Sequence, residues 1–320
     1  MNLKNKYWLF ISVFVVMISL VACGSDESDE TIVFAAPEWQ SIDFHNAVAQ
    51  IIAEEGYGYK TDLLPGSSPA TLQGLRNGEI DVYMETWIEN FKAQYEAGIE
   101  EGDIVELSTN FDDNDQGLYV PTYMIEGDEE RGIEPMAPDL QSVADLEEYW
   151  ELFEDPEHPD LGRIYGALPG WEADNIMKEM YEAYGLEETY NYFQPGSEAA
   201  LNTSLITAYD NGDPWVGYNW EPTWIIGLYD MTLLEDEKEF FVSQPVTVSV
   251  HESFMDRAPD LVEFLEQYET SSEITSEALG YMEENDADEW EAAEWFLTEY
   301  EELWTEWVPE DVAEAVKAAL

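Results

Sequence analysis

Apolar residues along this chain follow two periods, and their succession predicts the architecture. Thr31-Ile32-Val33-Phe34-Ala35-Ala36 has strand length and is almost wholly apolar, which predicts a buried strand. From 44 to 55, the residues Phe44, Val48, Ile51 and Ile52 share one helical face, and Gly56 and Gly58 close that helix. A second strand over 61–64, a helix over 70–77 and a third strand over 80–84 follow. Strand, helix, strand, helix, strand implies a parallel sheet with right-handed crossovers. Farther on, the pattern predicts helices over 143–154 and 172–184, a strand over 215–218 and an apolar strand over 246–250. Near Leu118-Tyr119-Val120 the chain is expected to cross into a second lobe, and 246–250 to bring it back. No internal sequence repeat is present.

These expectations define an α/β protein of two lobes, each a central sheet flanked by helices, with two crossovers at a hinge. Residues 31–119 and 246–320 form the first lobe and 120–245 the second. This is the layout of a periplasmic-type binding protein, whose cleft closes by hinge motion. Between Glu289 and Trp307, Ala293, Phe296, Leu297, Tyr300, Leu303, Trp304 and Trp307 recur at helical spacing, with acids on the other face. That pattern is an amphipathic helix laid on a lobe, so its tryptophans read as core.

The residues before 31 read differently. Lys4 and Lys6 precede an uncharged apolar run over 7–22, which fits a secretory signal peptide. The run ends Leu20-Val21-Ala22-Cys23, which resembles a bacterial lipobox. Residues 1–22 are then a leader, Cys23 the lipidation site, and 23–30 a polar tether. Cys23 is the one cysteine of the chain. An exported protein with this sequence therefore depends on its core rather than on disulfides.

Charge narrows the partners. Losing Lys4 and Lys6 leaves nine basic residues against 72 acidic ones, a net charge of −63. Nucleic acid is excluded, because phosphate binding needs clustered cations. Electrostatic attachment to anionic lipid is excluded for the same reason, which leaves attachment to the covalent anchor. The acidity itself reads as a hydrated surface suited to high salt or high pH. Asp112-Asp113-Asn114-Asp115-Gln116-Gly117 begins like a calcium loop, but it offers Tyr123 at the twelfth position, where a bidentate Glu belongs.

Catalytic motifs are missing. His45, His158 and His251 are isolated, and no nucleophile elbow, phosphate loop or dinucleotide fingerprint occurs. No enzyme activity, cofactor or metal is expected. The tryptophans are more informative. Trp39 follows Ala36-Pro37-Glu38, Trp87 follows Met84-Glu85-Thr86, Trp171 follows Pro169-Gly170, and Trp220 follows Tyr218-Asn219. Each lies where a strand ends and a loop begins, the edge at which α/β sheets bind ligands. An indole face suits a cation that cannot donate hydrogen bonds, such as trimethylammonium.

These blocks resemble the glycine betaine-binding family of ABC importers, over essentially the whole chain after the leader. The resemblance rests on the opening strand-Trp-helix with Glu54-Glu55-Gly56-Tyr57, and on the run from Gly66-Ser67-Ser68 to Asp81-Val82. It rests also on Pro169-Gly170-Trp171 and on Tyr218-Asn219-Trp220-Glu221-Pro222-Thr223-Trp224. It implies a type II binding-protein fold and an aromatic box between the lobes, with Trp87 from the first lobe and Trp171 and Trp220 from the second. Trp39 resembles a box position of the choline-binding branch, where an acid stands two residues later; here that residue is Ser41. The resemblance assigns a betaine carboxylate to the amides of Glu172 and Ala173 at a helix N-terminus. Ser67 and Ser68 are candidate extra donors. The implied partners are a quaternary-ammonium solute, a permease and, across the membrane, its ATPase. The implied place is the extracellular face of the membrane, as a lipid-anchored monomer. Within the class, choline or carnitine competes with glycine betaine. Outside it, a sensor or adhesion lipoprotein and a carbohydrate-acting enzyme with aromatic platforms are the competing readings.

Overall fold

The computed structural model describes residues 30–243 and 245–320. The expected leader, Cys23 and all of the tether but Glu30 lie outside them. Two five-stranded sheets organise the described chain. The first contains β1 (Thr31–Ala36), β2 (Lys60–Pro65), β3 (Val82–Trp87), β4 (Ile104–Phe111) and β10 (Val246–His251), in the order β2-β1-β3-β10-β4. The second contains β5 (Gln116–Pro121), β6 (Gly162–Tyr165), β7 (Tyr190–Phe193), β8 (Gly217–Trp220) and β9 (Met231–Leu233), in the order β7-β6-β8-β5-β9.

Although the sequence does not repeat, the topology does. In each sheet the first strand runs parallel to the second and third. A fourth, antiparallel strand then pairs with the third and with the edge strand, and it is the strand that arrives from the other lobe. Thus β1 corresponds to β6, β2 to β7 and β3 to β8. The central strand β3 is buried along its whole length, whereas the edge strand β2 is largely exposed and carries Lys60, Asp62 and Pro65. Charge and proline there discourage pairing with another chain.

Several boundaries move. The first crossing lies before Gln116, not at 119/120, because β5 is paired with β8 from Gln116 opposite Trp220 onward. The strand expected over 215–218 begins at Gly217, where β8 meets both Tyr165 and Tyr119. Trp215 is instead packed inward, stacked on Tyr165 at 5.7 Å with its Nε1 donating to Ser204. The expected helix over 143–154 is three short turns, Val143–Asp145, Leu146–Tyr149 and Trp150–Phe153. Tyr149, at φ −110° and ψ 7°, interrupts it. Likewise 289–307 breaks at Tyr300 into Glu289–Glu299 and Glu301–Trp304. Its apolar face covers helix Gln40–Ile51, with Phe296 edge-on to Phe44 at 5.6 Å.

Candidate functional site

The repeated topology brings four tryptophans to one place. Trp39 follows β1 and stands just before helix Gln40–Ile51; Trp171 follows β6 and stands just before helix Glu172–Ala183. Trp87 is the last residue of β3, and Trp220 the last residue of β8. Corresponding positions of the two lobes therefore supply one pair from the first strand and one pair from the third. All are at the carboxyl ends of parallel strands, where the crevice of an α/β sheet lies. Gly170, at φ +104°, makes the turn that delivers Trp171, a conformation side chains rarely allow.

These indoles, with Ser68, Asn90, Phe91, Glu172, Ala173 and Tyr218, line a small cavity of about 30 Å³. Trp171 stands perpendicular to Trp220, with ring centroids 5.0 Å apart, and to Trp39 at 6.0 Å. Tyr218 lies flat on Trp220 at 5.7 Å, and Trp87 meets Phe111 edge-on at 6.0 Å. Rings at right angles form the walls of a box rather than a continuous stack.

The lobes touch across this cleft through two matching contacts. The amide of Glu172, first residue of its helix, donates to Ser68 Oγ at 2.8 Å, and Ser68 N–H donates to the Gly170 carbonyl at 3.0 Å. The amide of Gln40, first residue of the corresponding helix, donates to Glu198 Oε2 at 3.2 Å. Ser68 and Glu198 themselves open corresponding helices, Ser68–Asn77 and Glu198–Asn211. Each lobe thus caps a helix of the other. One cap is the Glu198 carboxyl, which desolvation pushes up to about 7, and the other is a hydroxyl.

Of the residues expected from sequence, Trp39, Trp87, Trp171, Trp220, Ser68, Glu172 and Ala173 line the cavity. Ser67 does not join them: it is the exposed N-cap before helix Ser68–Asn77. The Glu172 carboxylate turns along its own helix and accepts from Asn175 Nδ2 at 2.9 Å, so it leaves its helix terminus free of competition. Sequence reasoning missed Tyr218, Phe91 and Asn90. Tyr218 precedes Trp220 by two in a strand, and period-two alternation puts both on one face. Asn90 and Tyr218 both hydrogen-bond Gln116, tying the cage to the first crossing.

A family model described as the substrate-binding domain of ABC-type glycine betaine transport systems matches residues 30–299. The glycine betaine-binding periplasmic protein OusX of Dickeya dadantii is 37% identical over 62 residues, 19% of this chain and 18% of that protein. A trimethylamine N-oxide-binding protein of Pelagibacter ubique is 22% identical over 203 residues, 63% of this chain and 62% of that protein. The alignments thus span less than two thirds of either curated relative. Among solved structures, a choline-binding protein of an ABC transporter in complex with choline superposes with TM-score 0.75 at 22% identity, covering 90% of this chain and 97% of that one. Lactococcal OpuAC, closed on glycine betaine, gives 0.72 at 18% identity, covering 88% and 100%. These likenesses establish the two-lobe α/β fold.

Proposed function

Because the chain belongs to the family of substrate-binding domains of ABC-type glycine betaine transport systems, we propose that its interlobe cavity captures glycine betaine or a closely related quaternary-ammonium solute and hands it to the permease of an ABC importer. One observation carries this reading: four indoles, two from each lobe, converge on a single cavity whose lining holds no lysine or arginine. Each desolvated indole face contributes on the order of 2 kcal/mol to a methylated cation. Three faces supply roughly 6 of the ~8 kcal/mol that micromolar binding requires.

The solute's carboxylate goes to the amides of Glu172 and Ala173, where the helix N-terminus favours an anion. Ser68 has its hydroxyl there already. A hydroxyl both accepts and donates, so Ser68 gives up the Glu172 amide and donates its proton to the arriving carboxylate. Choline is the second reading, and the observation behind it is Trp39, which stands in the cavity wall beside Trp87. Outside the described residues, the lipobox supports a lipid at Cys23; Cys23→Ala should release the protein or leave its precursor unprocessed, with ligand affinity unchanged.

Titration of intrinsic tryptophan fluorescence tests the ligand class. Glycine betaine should bind far more tightly than dimethylglycine or glycine, whose ammonium protons prefer water. Choline and carnitine rank the second reading against the first. Absence of a saturable response to every quaternary ammonium overturns the proposal.

A further inference from the structure

Strand β3 is buried throughout, yet it carries a carboxyl immediately behind the cage. Glu85 is 0% exposed and precedes Trp87 by two, so the two side chains leave the strand on the same face. Its Oε1 accepts the indole N–H of Trp87 at 3.0 Å and the hydroxyl of Ser41 at 2.9 Å. Ser41 in turn follows Trp39 by two residues. Glu85 Oε2 and Trp39 Nε1 are both buried and lack hydrogen-bond partners. The Trp39 N–H nevertheless pulls on the same carboxyl. Among the described residues no lysine or arginine neutralises it. A buried carboxylate without a counter-ion costs several kcal/mol, so packing alone does not explain this residue.

We propose that Glu85 is the positioning residue and buried counter-charge of the cage: it holds the Trp87 indole by its N–H edge, turning its face to the ligand, and a quaternary ammonium arriving on the first-lobe indoles releases the Glu85 proton to solvent. The inference rests on the quaternary-ammonium reading above. The Oε2–H bond breaks, its electron pair stays on Oε2, and that oxygen becomes a full acceptor for the unpartnered Trp39 N–H. Glu85 does not line the cavity, so it acts through the indoles.

Without ligand, burial raises the Glu85 carboxyl, the N–H and O–H groups of Trp39, Trp87 and Ser41 oppose this only in part, and the net result is about 8. The surroundings offer few competitors. On helix Gln40–Ile51, Asp43 raises Glu85 slightly and is itself pushed up to about 7 by burial and by Glu289 and Glu38. His45, on the same helix, is held neutral by burial. Tyr83 on β3 and Tyr268 after helix Pro259–Leu265 feel the Glu85 charge, and burial keeps both phenols protonated. The flanking strand β1 has no titratable side chain, and β10 has only His251, at its far end. A cation nearby favours the anion, so the bound state loses the proton that the free state holds. Affinity therefore rises with pH and levels off above about 8.

The experiment measures glycine betaine affinity from pH 6 to 9.5 by tryptophan fluorescence. Calorimetry near pH 7, in two buffers of different ionisation enthalpy, counts the protons released by the unmodified protein. Wild type should weaken by up to about tenfold per pH unit below about 8 and should release a fraction of a proton. Glu85→Gln keeps an acceptor for Trp87 and Ser41 but should bind more weakly at pH 9 and lose the pH dependence. Asp43→Asn should keep it. A flat wild-type profile with no buffer dependence overturns the role of Glu85 while leaving the ligand class intact. So does a slope that survives in Glu85→Gln or disappears in Asp43→Asn. If wild type binds no quaternary ammonium at any pH, the ligand class fails and this inference fails with it.

Discussion

Two regions of the molecule are rich in tryptophan, and exposure hardly separates them. The cleft tryptophans are 4–8% exposed, while Trp304, in the C-terminal helices, and Trp307, in the turn after it, are 0% and 5% exposed. Their neighbours differ. In the C-terminal layer, rings meet both flat and edge-on: Phe296 lies on Trp307 at 22° and Tyr281 on Trp295 at 15°, while Trp295 meets Tyr300 at 74°. There the Trp304 N–H reaches the Leu297 carbonyl at 2.7 Å. In the cleft, rings meet at 84° and 89° around open space, and the N–H of Trp39 has no hydrogen-bond partner. Rings packed on one another, with the Trp304 N–H matched to a carbonyl, make a core. In the proposed site, the space between the rings leaves contacts for a ligand to make.

Removing a ring from each region should separate the two. Trp304→Ala opens a cavity under the C-terminal helices and should cost about 3–5 kcal/mol of stability, read as a fall in Tm. Affinity of the folded fraction should stay near that of the parent; a large affinity loss at full folding would place Trp304 in the binding machinery. Trp87→Ala, Trp171→Ala and Trp220→Ala should each lose roughly 2 kcal/mol of binding, close to thirtyfold, and phenylalanine at the same positions should lose less, since a ring face remains. Loss of stability without loss of affinity in these variants would erase the distinction between receptor and core.

Per pH unit, the smallest expected effect concerns pH and the floor of the first lobe. Burial lowers His45 to about 3, and its ring nitrogens face the Tyr268 hydroxyl at 2.8 Å and Thr275 Oγ1 at 3.3 Å. The unfolded chain takes up the imidazole proton near 6.5 and the folded chain does not. Stability therefore falls as pH drops from about 6.5 toward 3, by up to about 1.4 kcal/mol per pH unit. Glu85 has the opposite sign: its raised carboxyl holds a proton that the unfolded chain has already lost, so ligand-free stability falls as pH rises from about 4.5 toward 8. Thermal melts of wild type, His45→Gln and Glu85→Gln across this range test both limbs. An acid limb unchanged in His45→Gln would show that other groups set it.

Much of this is legible in the sequence. The strand-helix alternation identified the two-lobe α/β layout, and Trp39, Trp87, Trp171 and Trp220 were recognisable as strand-end residues without assured core partners. Local breaks were not legible. Tyr149 and Tyr300 interrupt patterns whose periodicity continues through them, because short-range spacing does not register a backbone turn. Glu85 had a signal that went unread: an acid inside an otherwise buried strand, in step with Trp87.

The sequence by itself determined which residues face inward and which rings stand at strand ends, since side-chain alternation and helical period are local properties of the chain. Only the tertiary structure decided that β8 corresponds to β3 and β6 to β1, and so that Trp220 faces the same cleft as Trp87. It alone decided that Ser68 and Glu198 cap helices of the opposite lobe, contacts that join residues 104 and 158 positions apart. The pairing of two sheets across a cleft is an arrangement of many distant segments at once, and no local pattern encodes the distance between Trp171 and Trp39.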